Sequence, residues 1–222
     1  MTPVWSRYLK VLLTRGRPPN ARRVRIWRAR AAFDRAARAL RPGDVAIDCG
    51  ANVGRYTEIL ARSGCIVHAF EPDPVAFAEL FVRFADRSNV TLHQAAVGVA
   101  EGEATLYRVK DFDADPLART VSSSLVAAKD NADVAAGLAV RQIDLLRFID
   151  ALPSVAILKL DIEGAEAALL ERLLETGRLA RIGAVFVETH EGKIADLEER
   201  IEALRASVSA AGLSGSVNLD WA

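Results

Sequence analysis

Residues 44–57 read Asp-Val-Ala-Ile-Asp-Cys-Gly-Ala-Asn-Val-Gly-Arg-Tyr-Thr. A short apolar run from Val45 stops at an acid, Asp48, and glycines follow at 50 and 54. Such a run reads as a buried strand, and the glycines let the chain turn sharply into a helix over about 54–63. That helix start offers free N–H groups to a ligand. A dinucleotide fingerprint would need glycine at 50, 52 and 55, where this chain has Asn52 and Arg55 in the last two places. No Gly-Lys-Ser/Thr ends the turn, so it is not a phosphate-binding P-loop either. An acid at 48 would repel a pyrophosphate and suit a ligand that carries an ammonium group beside a carboxylate.

Outward from this turn, apolar strands alternate with helical patterns. The strands are Ile66–Phe70, Val90–His93, Val155–Leu160 and Ala184–Val187, with helices near 74–86, 145–152 and 165–174. Ile194, Leu197, Ile201, Leu204 and Val208 recur at 3-4-3-4 spacing, the mark of an amphipathic helix. This alternation requires right-handed crossovers and a doubly wound, mainly parallel α/β sheet with helices on both faces. Short β-prone pieces near 103–109 and a polar stretch over 111–133 are the least patterned part of the chain. Ligands of such sheets bind beyond the carboxyl ends of the strands. There the second strand ends in Glu71, 21 residues after Gly50, placed to accept hydrogen bonds from both hydroxyls of a ribose. Asp48 and Glu71 together describe a nucleoside joined to an amino acid, which is S-adenosylmethionine.

The stretches DVAIDCGANVGRYT, HAFEPDP, LHQAAVG, LKLDIEGAE and VETHE, in that order over residues 44–191, resemble the FkbM-like methyltransferases. The resemblance implies a class I methyltransferase (Rossmann-like) sheet. It also implies methyl transfer from S-adenosylmethionine to an oxygen, often a hydroxyl of a sugar or complex natural product. Carried over by position, Asp48, Gly50, Asn52, Gly54 and Glu71 match the family's cofactor residues. Ala95 and Ala96 match the stretch whose backbone meets adenine.

Period-two alternation puts Lys159 and Asp161 on one strand face, and Phe186, Glu188 and His190 on one face of the next. With Glu163 these residues form a polar cluster at neighbouring strand ends. Lys159, inside an apolar strand, needs a neutralising partner, and Glu188 or Asp161 is the expected one. A hydroxyl acceptor needs a general base, for which Asp161 and His190 are the candidates, with Glu163 and Glu188 orienting substrate or base. A carboxylate cluster with one histidine also suits Mg²⁺ or Ca²⁺, but Lys159 would oppose the ion, so no metal is expected. His68 and His93 read as core residues, Cys49 and Cys65 as free buried thiols, and Ser122 to Ser124 as loop.

Charge divides the chain. Residues 1–43 carry 12 Lys or Arg and one acid, and the remainder carries 17 bases and 28 acids, although the whole is formally neutral. Residues 1–43 are therefore read as a basic helical arm and 44–222 as the methyltransferase domain. In the arm, Trp5, Tyr8, Leu9 and Leu12 recur at helical spacing. A second helix, capped by Asn20, carries the stripe Ile26, Ala29, Phe33, Ala37 and Leu40. Docking of the arm on the acidic body is the favoured reading, and peripheral contact of residues 1–41 with an anionic membrane surface the alternative. The arm has no interleaved aromatic platform, so a nucleic-acid-binding protein is the lesser reading and no nucleic-acid partner is expected. The other rival is an NAD-dependent oxidoreductase, which Glu71 would serve but Asn52 and Arg55 would not. The acceptor is expected to be a small-molecule or glycan hydroxyl. A 51% hydrophobic chain without a membrane-length apolar run, a secretory leader or a disulfide scaffold is expected to be cytoplasmic.

Overall fold

The computed structural model describes residues 4–15, 18–109, 120, 132–191 and 197–221. Ser122 to Ser124 lie outside them. Six strands form the main sheet: β1 (Val45–Cys49), β2 (Ile66–Phe70), β3 (Val90–His93), β7 (Val155–Leu160), β8 (Ile182–Val187) and β9 (Val217–Asn218). Their order is β3-β2-β1-β7-β8-β9, and every pairing is parallel. The chain leaves β1 toward β2 on one side and returns to β7 on the other. The ends of β1 and β7 therefore form the switch point where connections diverge and leave a crevice. A smaller sheet, β4 (Ala96–Gly98), β6 (Ala132–Asp144) and β5 (Gly102–Val109), packs Ala96, Leu106 and Val140 together beside it.

Every β1 side chain is buried because strands flank it and helices cover both faces. Its side chains alternate between two cores. Ile47 and Cys49 join Leu158, Leu160, Val185 and Val187 under three helices. These are α5 (Leu145–Asp150), α6 (Glu166–Glu175) and α7 (Leu197–Ala210). Ala46 faces the opposite core with Ile157 and Phe186, under α2 (Ala21–Ala39) and α3 (Arg55–Ala61). Helix α4 (Pro74–Phe84) starts at Asp73, whose carboxylate accepts from Val75 N, and packs Leu80 and Phe84 against Ala51 and Ala69.

Helix α2 belongs to this second core. Asn20 caps it by accepting from Arg23 N, and its stripe buries Ala29, Phe33 and Ala37. The Phe33 ring lies edge-on to Tyr56 and Phe186 at 5.5 and 5.2 Å and is tilted against Trp221 at 5.4 Å. Arg25 meets Asp220 at 3.1 Å. This half of the basic segment is thus docked on the body chiefly through aromatic packing. Helix α1 (Val4–Arg15) differs, with Trp5, Leu9 and Leu13 exposed. Both cysteines are free and buried, and His68 and His93, each only partly buried, face each other at 3.2 Å.

Candidate active site and cofactor cleft

The turn after β1 is fastened from both sides. Gly50 N and Ala51 N donate to Phe70 O at the end of β2, and Asp161 N, just past β7, donates to Cys49 O. Gly50 has φ +75, and a Cβ there would lie 1.8 Å from the Asp161 carbonyl oxygen, so only glycine lets the two strand ends touch. Asn52 takes the left-handed conformation at φ 49, which asparagine tolerates. That pose sends its N–H to Glu71 Oε2 at 2.8 Å, while its Nδ2 donates to Thr120 Oγ1 at 2.9 Å.

The resulting cleft is lined by Gly50, Asn52, Phe70, Glu71 and Pro72 on the β1–β2 side. Ala95, Ala96 and Val97 form an apolar wall, and Thr120, Asp161, Ile162 and Glu163 close the other end. Glu71 is 6% exposed. Burial pushes its carboxyl up to about 7, against the pull of N–H groups from Asp73 and Asn52.

Asp48 does not reach this cleft. It is fully buried on the α2–α3 face, where it accepts from Thr57 Oγ1 at 2.6 Å. The pairing register sets Asp48 directly beside Lys159 on β7, and Lys159 Nζ lies 3.0 Å from Asp48 Oδ1. The ammonium partner expected for Asp48 from a ligand is therefore supplied by the protein. Lys159, in turn, is neutralised by Asp48, with Asp161 further away at 3.6 Å and no contact to Glu188. It also donates to Gly50 O and Cys49 O at 2.6 and 3.2 Å, so the pair braces the turn from beneath. Burial alone would lower the Lys159 pKa, but the charges of Asp48 and Asp161 outweigh it and hold the ammonium charged. Gly54 likewise stays out of the cleft. Its absent Cβ makes room for Phe84 and Leu80 of α4.

Beyond β7 the chain bends through Glu163, at φ 58, and Gly164. The buried Glu166 carboxylate holds this bend by accepting from Ile162 N and Gly164 N, both at 2.8 Å. His190 is 2% exposed, is enclosed behind this bend and does not line the cleft. Its Nδ1 meets Glu166 Oε1 at 3.1 Å. Its Nε2 faces Glu163 at 3.2 Å, Asp161 at 3.8 Å and Glu188 at 3.9 Å. Burial disfavours the imidazolium, but hydrogen bonds to Glu163 and Glu166 and their charges raise its pKa to about 10. With its proton held this firmly, His190 is a poor general base at neutral pH. Asp161, its carboxyl raised by burial against the pull of Lys159 and His190, does line the cleft, as does Glu163.

The sequence reading did not single out Thr120, Asp73 or Glu166. Asp73 fixes Glu71 through its N–H, and Arg108 fixes Asp73 at 3.2 Å. Glu166 carried a readable signal, an acid at the start of a helix four residues after Ile162.

The model of one protein family, the methyltransferase FkbM domain, matches residues 48–212. The chain belongs to this family. Among curated proteins, the 31-O-demethyl-FK506 methyltransferase FkbM of Streptomyces tacrolimicus is 48% identical over 59 residues. That match covers 26% of this chain and 20% of the relative, so it spans about a fifth of the relative's length. Among solved structures, the precorrin-6y C5,15-methyltransferase of Geobacter metallireducens GS-15 superposes with a TM-score of 0.42 at 12% identity, covering 82% of this chain and 70% of that one. An rRNA methylase of Streptococcus thermophilus gives 0.38 at 16%, covering 78% and 79%.

The FkbM-domain family and the fold imply S-adenosylmethionine as the cofactor. The cleft suits that molecule. One end has a buried carboxylate that can accept from a sugar diol, the wall is apolar enough for a flat ring, and the far end is acidic, as a sulfonium and an ammonium require.

Proposed function

We propose that the protein is an O-methyltransferase acting on a hydroxyl of a sugar, glycan or complex natural product. The observation that carries this reading is that the acids at the end of β7, Asp161 and Glu163, open into the same cleft as Glu71. A nucleoside site and a proton-accepting site are thereby contiguous. In this reading Glu71 accepts from the ribose, and Gly50 and Asn52 give the backbone edge along which the cofactor lies. Ala95 and Ala96 flank the adenine. Asp48 and Gly54 act one step back, Asp48 by bracing the turn with Lys159 and Gly54 by admitting α4.

S-adenosylmethionine supplies an activated methyl group for in-line displacement, so the protein must align the acceptor and remove its proton. Asp161 is the base in this reading. Its raised pKa makes it a stronger acceptor than an ordinary carboxylate. Glu163 orients the acceptor, and His190 and Glu188 hold the two acids in place. Residues 44–222 carry this chemistry, with 1–43 as a helical arm that either docks wholly on the body or touches an anionic membrane surface through its exposed α1 face. Among the described residues no helix is long and apolar enough to cross a membrane. We place the enzyme in the cytoplasm.

Asp161→Asn is the test. The variant is expected to bind S-adenosylhomocysteine within about threefold of the wild type, while turnover on a hydroxyl acceptor falls by at least ~10²-fold, the lower range for loss of a general base. Normal turnover by this variant would refute the assignment.

A further inference from the structure

We propose that α1 is an interfacial membrane-binding helix. It lies in the surface of an anionic bilayer, with Trp5, Leu9, Leu12 and Leu13 in the lipid and its basic side chains among the headgroups. The proposal rests on the reading of the arm given above, takes one side of it and confines the contact to Val4–Arg15; it does not depend on the transferase chemistry.

Uncovered apolar surface is concentrated on α1. Among the described residues nine large apolar side chains are exposed, and five of them, Trp5, Tyr8, Leu9, Leu12 and Leu13, belong to this one helix of 12 residues. The other four, Ile66, Phe81, Val82 and Val99, are spread over the body. Scattered exposed apolar residues are ordinary, whereas a contiguous set marks a surface that a partner covers. At helical spacing Trp5, Leu9, Leu12 and Leu13 stand on one side, flanked by Tyr8. The half-buried Val4, Arg7 and Val11 share another side, and α1 packs against α2. The apolar stripe of α2 gives the exposed face no cover, because its Phe33 is committed to Tyr56, Phe186 and Trp221 of the body.

Charge says what covers it. Helix α1 holds Arg7, Lys10 and Arg15 and no acid. Residues 1–43 carry 12 bases and one acid, against 17 bases and 28 acids in the remainder. An anionic surface therefore attracts this end of the molecule and repels the body, which orients the chain on it. A second copy is a poorer occupant, because joining two α1 faces would bring two arginine-rich arms together. Leucines and aromatic rings on one face of a helix, with bases and no acids on the rest, are the composition that binds a bilayer interface. Tryptophan and tyrosine suit the depth at which acyl chains give way to headgroups. Lys10, exposed beside Leu13 on the helix flank, can extend its stem along the apolar face and set its ammonium on a phosphate.

The probe is vesicles of phosphatidylcholine, alone or with about one part in three of phosphatidylglycerol, mixed with the full chain in about 0.1 M salt. Cosedimentation and tryptophan emission are read. Binding to the mixed vesicles is expected to be at least ~10-fold tighter than to phosphatidylcholine, at about fivefold for each base near the surface, and to weaken as salt rises. Leu13→Asp should weaken it at least ~10-fold and Lys10→Glu at least ~5-fold. Leu13 is 82% exposed, so Leu13→Asp should melt with the wild type. Binding should move the emission to the blue. Trp5→Phe should bind within about threefold of the wild type and lose that shift, since phenylalanine keeps an apolar ring on the face. No binding to the mixed vesicles, binding that Leu13→Asp leaves unchanged, or a shift that persists in Trp5→Phe overturns the proposal. A wild type that ignores vesicles and forms a dimer dissolved by Leu13→Asp also overturns it, the face then joining two copies. Titration of the same preparation with S-adenosylhomocysteine keeps the two readings apart. Vesicle binding without binding of that ligand removes the transferase reading alone, and the reverse removes this proposal alone.

Discussion

Replacing Lys159 by methionine separates the two roles that Asp48 could play. Lys159 is 1% exposed and Asp48 fully buried, and their charged atoms stand 3.0 Å apart. Removing the ammonium leaves a carboxylate in the core with, among the described residues, only Thr57 Oγ1 as a hydrogen-bond donor, and takes a donor from Gly50 O and from Cys49 O, the latter keeping Asp161 N. Breaking a buried pair in this one-sided way costs about 3–5 kcal/mol. The surviving bond to Thr57 and water entering at the turn favour the lower half of that range. In urea, with a slope of about 2–3 kcal/mol/M, the unfolding midpoint should fall by roughly 1–2 M. The double variant Asp48→Asn/Lys159→Met removes both charges and should be at least ~2 kcal/mol more stable than the sum of the single losses. Circular dichroism reads the transitions, and calorimetry with S-adenosylhomocysteine accompanies it. Asp48→Asn should lose stability yet keep its affinity for that ligand within about threefold. The reasoning is refuted if Lys159→Met lies within ~1 kcal/mol of wild type. It is equally refuted if Asp48→Asn is stable but binds at least tenfold more weakly, since Asp48 would then be a ligand contact.

Glu71 has a carboxyl raised to about 7, and binding a sugar diol requires its ionised form. Affinity for S-adenosylhomocysteine should therefore be flat above pH ~8 and weaken toward tenfold per unit below pH 7. Glu71→Gln should bind roughly 10–100-fold more weakly at pH 8 and show no such slope. Gly54→Ala places a methyl 2.3 Å from Phe84 and 2.7 Å from Leu80 at φ +83. Strain and overpacking together should cost about 2–5 kcal/mol and lower the melting temperature by roughly 5–15 °C. An unshifted melting curve would mean that α4 does not pack on this turn.

The alternation of strands and helices and the strand-end acids were legible because their signals are local. β1 and β2 each end an apolar run on an acid at the sheet's carboxyl edge, and Glu71 lies where that geometry places it. The protein partner of Asp48 was hidden for a non-local reason. It sits 111 positions later in sequence, and only the β1–β7 register brings Lys159 to Asp48. The need for a partner was visible in a charged residue amid Val155–Leu160, but the partner's identity was not. Strand β6 escaped notice because Ala132–Asp144 is rich in alanine and poor in β-branched residues. Its extended form comes from pairing with β4 and β5. His190 reads as a loop residue after a short strand, and its burial depends on Glu166 folding the loop beyond β7 over it.

The central claim is that Gly50, Glu71 and Asp161 border one cleft built for an adenosyl cofactor. Calorimetric titration of the full chain with S-adenosylhomocysteine and, in parallel, with NAD tests it most directly. The account predicts one site per chain for S-adenosylhomocysteine, lost or weakened at least tenfold in Glu71→Gln, and no heat from NAD. Binding of NAD at the same stoichiometry, or S-adenosylhomocysteine binding that is indifferent to Glu71, would contradict it.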